Sequence, residues 1–247
     1  MRVIVNGYTG HMGQIVDSLV SAGYAGAEVA ARVSFDAPED RPEGCYVELA
    51  EYTGDADCVI DFSNHLGTVK LLDYCVSKKL PVVVATTGQT AEEKEAIYEA
   101  AKKIPVFYSA NMSLGVAALS DLAKRAAAMF PEADIEIVET HHNRKLDVPS
   151  GTALLLADSI KEVRPQAVYN IGRPDNGKRT KEEIGIHSIR LGNECGTHEI
   201  IISTGNETIT LKHKAENRSI FAEGAIKAAA YICGKPAGLY NMRDYTA

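Results

Sequence analysis

No stretch of this chain strings together the roughly 18 apolar residues that a membrane-spanning helix needs, so none of it is expected to cross a bilayer. Excess positive charge is missing too. The 26 Lys and Arg against 33 Asp and Glu give a net charge of −7 and a pI near 5.5, which removes the general field that draws proteins to nucleic acid or anionic lipid. Cysteine is scarce and without pattern: Cys45, Cys58, Cys75, Cys195 and Cys233 are five, an odd number with no C-x-x-C spacing. That argues against a disulfide framework or a cysteine-based zinc site and predicts reduced thiols in a cytoplasmic protein. The opening MRVIVNG runs from a charge straight into a short β-branched stretch, unlike a secretory signal. No repeat or low-complexity tract occurs, and 45% hydrophobic with 24% charged residues is an ordinary globular composition. The 247 residues suffice for one large domain or two smaller ones.

Short apolar runs at 2–7, 27–33, 56–63 and in LPVVVATTG and IPVFYSA read as buried strands. Helical spacing separates them, in MGQIVDSLVSAG and over 66–78 and 90–103. Strands alternating with helices of this length predict a doubly wound parallel sheet of Rossmann type. After about residue 112 the pattern changes. An Ala-rich helix over 114–130 precedes the alternating strand ADIEIVETHH. A polar loop over 163–183 then leads to three strands, IGIHSIRLG, GTHEIIISTG and ETITLKHKA, expected to form an antiparallel meander. The fold class is therefore α/β: a dinucleotide-type domain over 1–112, completed by 220–247, and a second α+β domain on a mixed or antiparallel sheet over 113–219.

At the exit of the first strand, VNGYTGHMGQ spaces Gly7, Gly10 and Gly13 three apart. A tight bend, unobstructed backbone amides for a pyrophosphate and close helix–sheet packing each need such a residue. Gly7, Tyr8, Thr9, Gly10, His11 and Met12 are accordingly candidate cofactor-binding residues. An acid usually ends the second strand to hold ribose hydroxyls. Here Arg32-Val33-Ser34 stand there, with no acid until Asp36. Arg32 suits a 2′-phosphate, which favours NADPH or acceptance of both NADPH and NADH; an exposed strand-end charge is the plainer alternative. Polar strand ends at Asp61–Ser63, at Ala85, Thr86 and Thr87, and at Ser109, Ala110, Asn111 and Met112 fall where an open sheet presents ligands.

The densest chemistry is HHNRKLDVPSGT, residues 141–152. Ser150, Gly151 and Thr152 immediately precede an apolar helical run, so they form an N-terminal cap whose amides and dipole suit a carboxylate or phosphate. Lys145 is a compact cation able to pair with a carboxylate or give a proton. His141 and His142 follow an alternating strand and should face opposite ways, one acting as an acid while the other grips a ligand or packs. Adjacent histidines make poor joint metal ligands and no further His or Cys has suitable spacing, so no metal is expected.

EIVETHHNRKLDVPSGTAL closely resembles the dihydrodipicolinate reductase signature E-x-H-H-x-x-K-x-D-x-P-S-G-T-A. VNGYTGHMG, VIDFS, ATTG, SANMSLGV, IGIHSIRLGNECGTHEI and GKPAGLYNMRDY extend the similarity over nearly the whole chain. The resemblance implies a cytoplasmic enzyme of lysine and diaminopimelate synthesis that uses NADPH or NADH to reduce a cyclic imine-type dicarboxylate. By the same resemblance His141 is the acid/base residue and Lys145 the proton donor. His142, Ser150, Gly151 and Thr152 hold the substrate, and four copies assemble through the second domain. The chain departs from the family at the end of the second strand, which leaves the cofactor preference open. Two other classes stay in view. One is a different two-domain dehydrogenase acting on an aldehyde or amino acid, for which Cys195 is the only remote nucleophile. The other is a nucleotide-sensing protein that has kept the glycine loop without the chemistry.

Overall fold

The computed structural model describes residues 1–246, so Ala247, the last residue of the expected 220–247 segment, lies outside the described residues. The chain divides into two compact units, Met1–Ser113 with the segment from Arg218 onward, and Leu114–Asn217.

In the first unit the apolar runs become parallel strands. Val3, Ile4 and Val5 of β1 (Arg2–Asn6) are almost wholly buried, since a sheet covered by helices leaves its strands no wet side. The chain continues through α1 (His11–Ser21) and β2 (Glu28–Val33) to a two-residue strand, β3 (Cys45–Tyr46), that no sequence pattern marked. Next come β4 (Cys58–Asp61), α2 (Thr68–Lys78), β5 (Val82–Val84), α3 (Ala91–Ala101) and β6 (Pro105–Tyr108). A reciprocal capping box starts α3: Glu93 N donates to Thr90 Oγ1 and Thr90 N donates to Glu93 Oε2, satisfying two amides that the helix cannot pair internally.

The second unit opens with α4 (Leu114–Met129) and β7 (Asp134–His141). It goes on through α5 (Gly151–Lys161), β8 (Val168–Ile171), β9 (Glu183–Arg190), β10 (Gly196–Ser203) and β11 (Thr208–Ala215). The chain then returns to the first unit as α6 (Ser219–Ile232), β12 (Gly238–Tyr240) and α7 (Met242–Thr246). The first sheet runs β12-β6-β5-β4-β1-β2-β3, all parallel.

The second sheet runs β11-β10-β7-β9-β8, and it corrects two expectations. The span 163–183 is not all loop, since β8 lies within it and pairs parallel to β9. Strands β9, β10 and β11 are not a meander, because β9 pairs parallel to β7 while β10 fills the other edge of β7 antiparallel. Only β10 and β11 form a hairpin. The isoleucines of β7 fit this order: a central strand needs hydrogen-bond partners on both edges, and β9 and β10 set isoleucines beside its own on the buried face. Ile135, Ile137, Ile184, Ile186, Ile200 and Ile202 form that face with Leu156 and Ile160 of α5.

The glycine turn makes the closest backbone approach. A Cβ built on Gly13 would stand 1.9 Å from Gly7 O and 2.8 Å from Tyr8 Cα, and backbone cannot give way as a side chain can. Gly13→Ala should therefore cost about 3 kcal/mol or more. Gly177→Ala, whose Cβ meets nothing within 4 Å, should stay within about 0.5 kcal/mol. Urea unfolding midpoints compare the two variants, and matching midpoints would contradict the collision.

Candidate active site

The carboxyl ends of β1, β4, β5 and β6 lead into one cavity of about 490 Å³. Of the expected cofactor residues, Gly10, His11, Met12, Ala85, Thr86, Thr87, Ala110, Asn111 and Met112 line it. Gly7, Tyr8, Thr9, Ser109 and Arg32 do not. Gly7 has φ +86° and packs against the Phe62 carbonyl, where a Cβ would come within 2.6 Å, so it makes the bend rather than the wall. Ser109 Oγ donates to Asn111 O at 2.7 Å and shapes the β6 loop. Asn64, His65 and Phe221 also line the cavity and carried no sequence signal. The His65 ring is held through Nδ1 by the Glu93 carboxylate at 3.0 Å.

Several polar groups at this edge serve the fold. Asp61 is buried and accepts from Asn6 Nδ2 at 2.7 Å, Ser63 Oγ at 2.6 Å and Thr86 Oγ1 at 2.6 Å. It thereby ties together the ends of β1, β4 and β5. Burial raises its pKa against those hydrogen bonds. Arg32 has turned onto α1, with Nε 2.7 Å from Asp17 Oδ1 and Nη2 donating to Ser21 Oγ at 3.1 Å. The residue that reaches the glycine loop is Asp36, which accepts from Thr9 Oγ1 at 2.5 Å and Ser34 Oγ at 2.6 Å. Those two hydroxyls, Ser34 first, hold its pKa below the usual value. The turn after β2 brings it back toward the loop although it lies beyond the strand end.

The second unit gathers its chemistry at one end of its sheet. The inward face of β7 begins with Ile135 and Ile137 and ends with Glu139 and His141. Register places Arg190 of β9 opposite His141 and His198 of β10 opposite Glu139. Glu139 is fully buried. Its Oε2 accepts from His141 Nδ1 at 2.5 Å and Arg190 Nη1 at 2.9 Å, and its Oε1 from Arg190 Nη2 at 2.9 Å and Ser150 N at 3.2 Å. Burial would raise this carboxyl, but the hydrogen bonds from His141 and Arg190 overcome it and hold the group far below its ordinary range. Glu139 is the leading acid of the E-x-H-H signature but was given no role from the sequence, and Arg190 and His198 were not named as site residues.

Ser150 caps α5, with Oγ accepting from Ala153 N at 3.2 Å and meeting His198 Nε2 at 3.1 Å. The hydroxyl is thus used within the fold. Gly151 at the first turn is exposed, and a Cβ there would meet nothing within 4 Å. Thr152 and His142 are half-buried. Lys145 Nζ lies 2.8 Å from Asp147 Oδ1. This arrangement can hold an anion on the first turn of α5 and exchange a proton through an imidazole backed by a carboxylate. Cys195, the thiol considered as a nucleophile, is half-buried between β9 and β10. Among the described residues no group of His, Cys, Asp and Glu is arranged to hold a metal, and no helix is long and apolar enough to cross a membrane.

Comparison with known proteins gives matches over both parts of the chain. The family described as dihydrodipicolinate reductase, N-terminus, matches residues 1–112, and dihydrodipicolinate reductase, C-terminus, matches residues 115–245. The 4-hydroxy-tetrahydrodipicolinate reductase of Caldanaerobacter subterraneus subsp. tengcongensis is 44% identical over 99% of this chain and 97% of its own length. That of Clostridium tetani is 42% identical over 98% and 95%. A dihydrodipicolinate reductase from Paenisporosarcina sp. TG-14, solved with dipicolinate bound, superposes with a TM-score of 0.81 at 24% identity, covering 100% of this chain and 99% of the other. That likeness shows the fold.

His198 makes the second unit sensitive to acid. Burial, then the neighbouring His141, pushes its pKa down from 6.5 to about 3. Below 6.5 the unfolded chain takes up a proton that the native ring refuses until about pH 3, so stability falls across that window. By pH 5 the loss is about 2 kcal/mol. The stability advantage of the wild type over His198→Gln should shrink by that amount between pH 7 and pH 5, as read by urea unfolding. A constant difference would show that His198 carries no such linkage.

Proposed function

The chain belongs to the dihydrodipicolinate reductase family, and we propose that it performs that family's reaction with His141 and Lys145 as its catalytic residues. The reaction reduces 4-hydroxy-tetrahydrodipicolinate to tetrahydrodipicolinate, with loss of water, in lysine and diaminopimelate synthesis. NAD(P)H supplies the hydride. The first unit, Met1–Ser113 with the segment from Arg218 onward, holds the dinucleotide, and Leu114–Asn217 holds the small dicarboxylate.

The cavity below the glycine turn fits the dinucleotide. Gly10 is the N-cap of α1, so the first-turn amides near His11 and Met12 take the pyrophosphate. Thr87, Ala110 and Asn111 border the remainder. Asp36, ionised and beside Thr9, takes the adenosine ribose hydroxyls and repels a 2′-phosphate. Arg32 is engaged with Asp17 and does not counter it. We therefore place NADH ahead of NADPH.

Hydride addition to the conjugated imine leaves negative charge on the ring nitrogen, so a proton has to reach that atom. Lys145 delivers it, and His141 serves as the acid/base group. One substrate carboxylate rests on the amides of Gly151 and Thr152, and the other lies by Lys145 and His142. The observation that carries this reading is the single Glu139 carboxylate bonded to both His141 and the Ser150 amide, which builds the proton-exchanging ring and the anion-holding helix tip as one piece. The outward face of the second sheet carries Val138, Ile189 and Ile201 among charges, and further copies pack there into a homotetramer. Neither nucleic acid nor membrane has a part, and the enzyme works in the cytoplasm.

Turnover is measured as loss of reduced nicotinamide absorbance, with substrate formed in situ from pyruvate and aspartate semialdehyde, and dipicolinate should compete. Lys145→Ala should lose about 10²-fold or more in kcat while Lys102→Ala, on the exposed end of α3, keeps wild-type rates. Equal rates would remove Lys145 from the mechanism. Asp36→Ser should move the NADPH to NADH ratio of kcat/KM upward on the order of tenfold, and an unchanged ratio would release Asp36 from the cofactor assignment.

A further inference from the structure

We propose that Glu139, clamped by Arg190, is the positioning residue of this site. It fixes the tautomer of His141 and fastens that ring to the tip of α5. This rests on the reading of His141 as the acid/base group.

The argument starts from donors and acceptors. An ionised carboxylate only accepts, so the proton shared between Glu139 Oε2 and His141 Nδ1, 2.5 Å apart, belongs to Nδ1. Nε2 is then the atom left to exchange protons. Gly196 spares that atom a side chain, since a Cβ on it would come 3.0 Å from Nε2. Glu139 touches no solvent, so it acts through the ring and is not itself a proton carrier to substrate.

A buried carboxylate beside one imidazole would ordinarily favour its own protonation. Arg190 prevents this with two parallel bonds of 2.9 Å. The same guanidinium donates to Asp147 O at 2.7 Å, which carries the constraint into the loop bearing Lys145. The remaining oxygen valence holds Ser150 N at 3.2 Å. Four donors from β7, β9 and the α5 cap thus converge on two oxygens. The other charged or titratable groups facing His141 are His198 of β10, its ring edge-on at 5.1 Å, and the Lys145–Asp147 pair, with His213 of β11 behind His198. Neutral His198 brings no competing charge.

The test uses the full-length enzyme labelled with ¹⁵N-histidine. At alkaline pH, wild-type His141 should show the Nδ1–H tautomer, and an Nε2–H ring there overturns the proposal without any variant. Glu139→Gln should turn the ring to the Nε2–H form and lower kcat about 10²-fold or more, with NADH affinity in the first unit unchanged. In the His141→Gln background the same substitution should cost less than about twofold, because both changes remove one device. A folded Glu139→Gln enzyme with wild-type kcat and tautomer, or an equal loss in both backgrounds, refutes the positioning role. If His141→Gln alone keeps wild-type turnover, the acid/base assignment itself fails, whatever the tautomer.

Discussion

An ionised carboxylate buried at the end of an isoleucine face has to be saturated with donors, and much of the second unit is arranged around doing so. Leaving such a charge with one bond missing would cost several kcal/mol. Glu139 meets the requirement by drawing Arg190 from β9, His141 from its own strand and the Ser150 amide from the start of α5. Each of those donors is fixed by what it gives up to the carboxylate. The parallel register of β7 with β9 and the entry point of α5 are what bring these four donors to the carboxylate.

The first unit handles an anionic ligand by a different device. Its turn brings backbone against backbone, with Gly7 and Gly13 at separations no side chain tolerates, and in the function proposed above the amides of α1 do the holding. Charge is nearly absent from that cradle. The buried Asp61 is spent on tying three strand ends, and the ionised Asp36 stands at the rim. A diphosphate with one constant shape suits a cradle of amides. A ring that gains a hydride and a proton needs groups whose protonation is controlled, which side chains supply and amides do not.

Much of the fold was legible in order. The β-branched runs of the first unit, their spacing by amphipathic helices and the alternation of β7 gave element types directly. What escaped was pairing. The 163–183 stretch hides β8 because Val168–Ile171 is short and flanked by polar residues, and β9, β10 and β11 read as consecutive hairpins although β7 lies between the first two. Sequence spacing cannot show that a strand placed earlier will claim both neighbours. The candidate site was legible where its residues are contiguous, as in 141–152 and the glycine turn. It was illegible where strands from distant positions meet: Glu139 stood in the signature with nothing to show what it pairs with, and Arg190 and His198 lay in a strand and a neighbouring strand whose register with β7 no local pattern reveals.

The local pattern by itself determined the α/β class, the backbone cradle at Gly7, Gly10 and Gly13, and the helix cap at Ser150, because each depends on neighbours within a few positions. Tertiary structure alone decided which polar side chains are occupied. Arg32 is taken by Asp17, Thr86 by Asp61 and Ser150 Oγ by Ala153 and His198, while His141 is oriented by a carboxylate that Arg190 keeps ionised. A hydrogen bond consumes a specific lone pair or proton, and only the register of strands far apart in the chain settles which partner arrives there first.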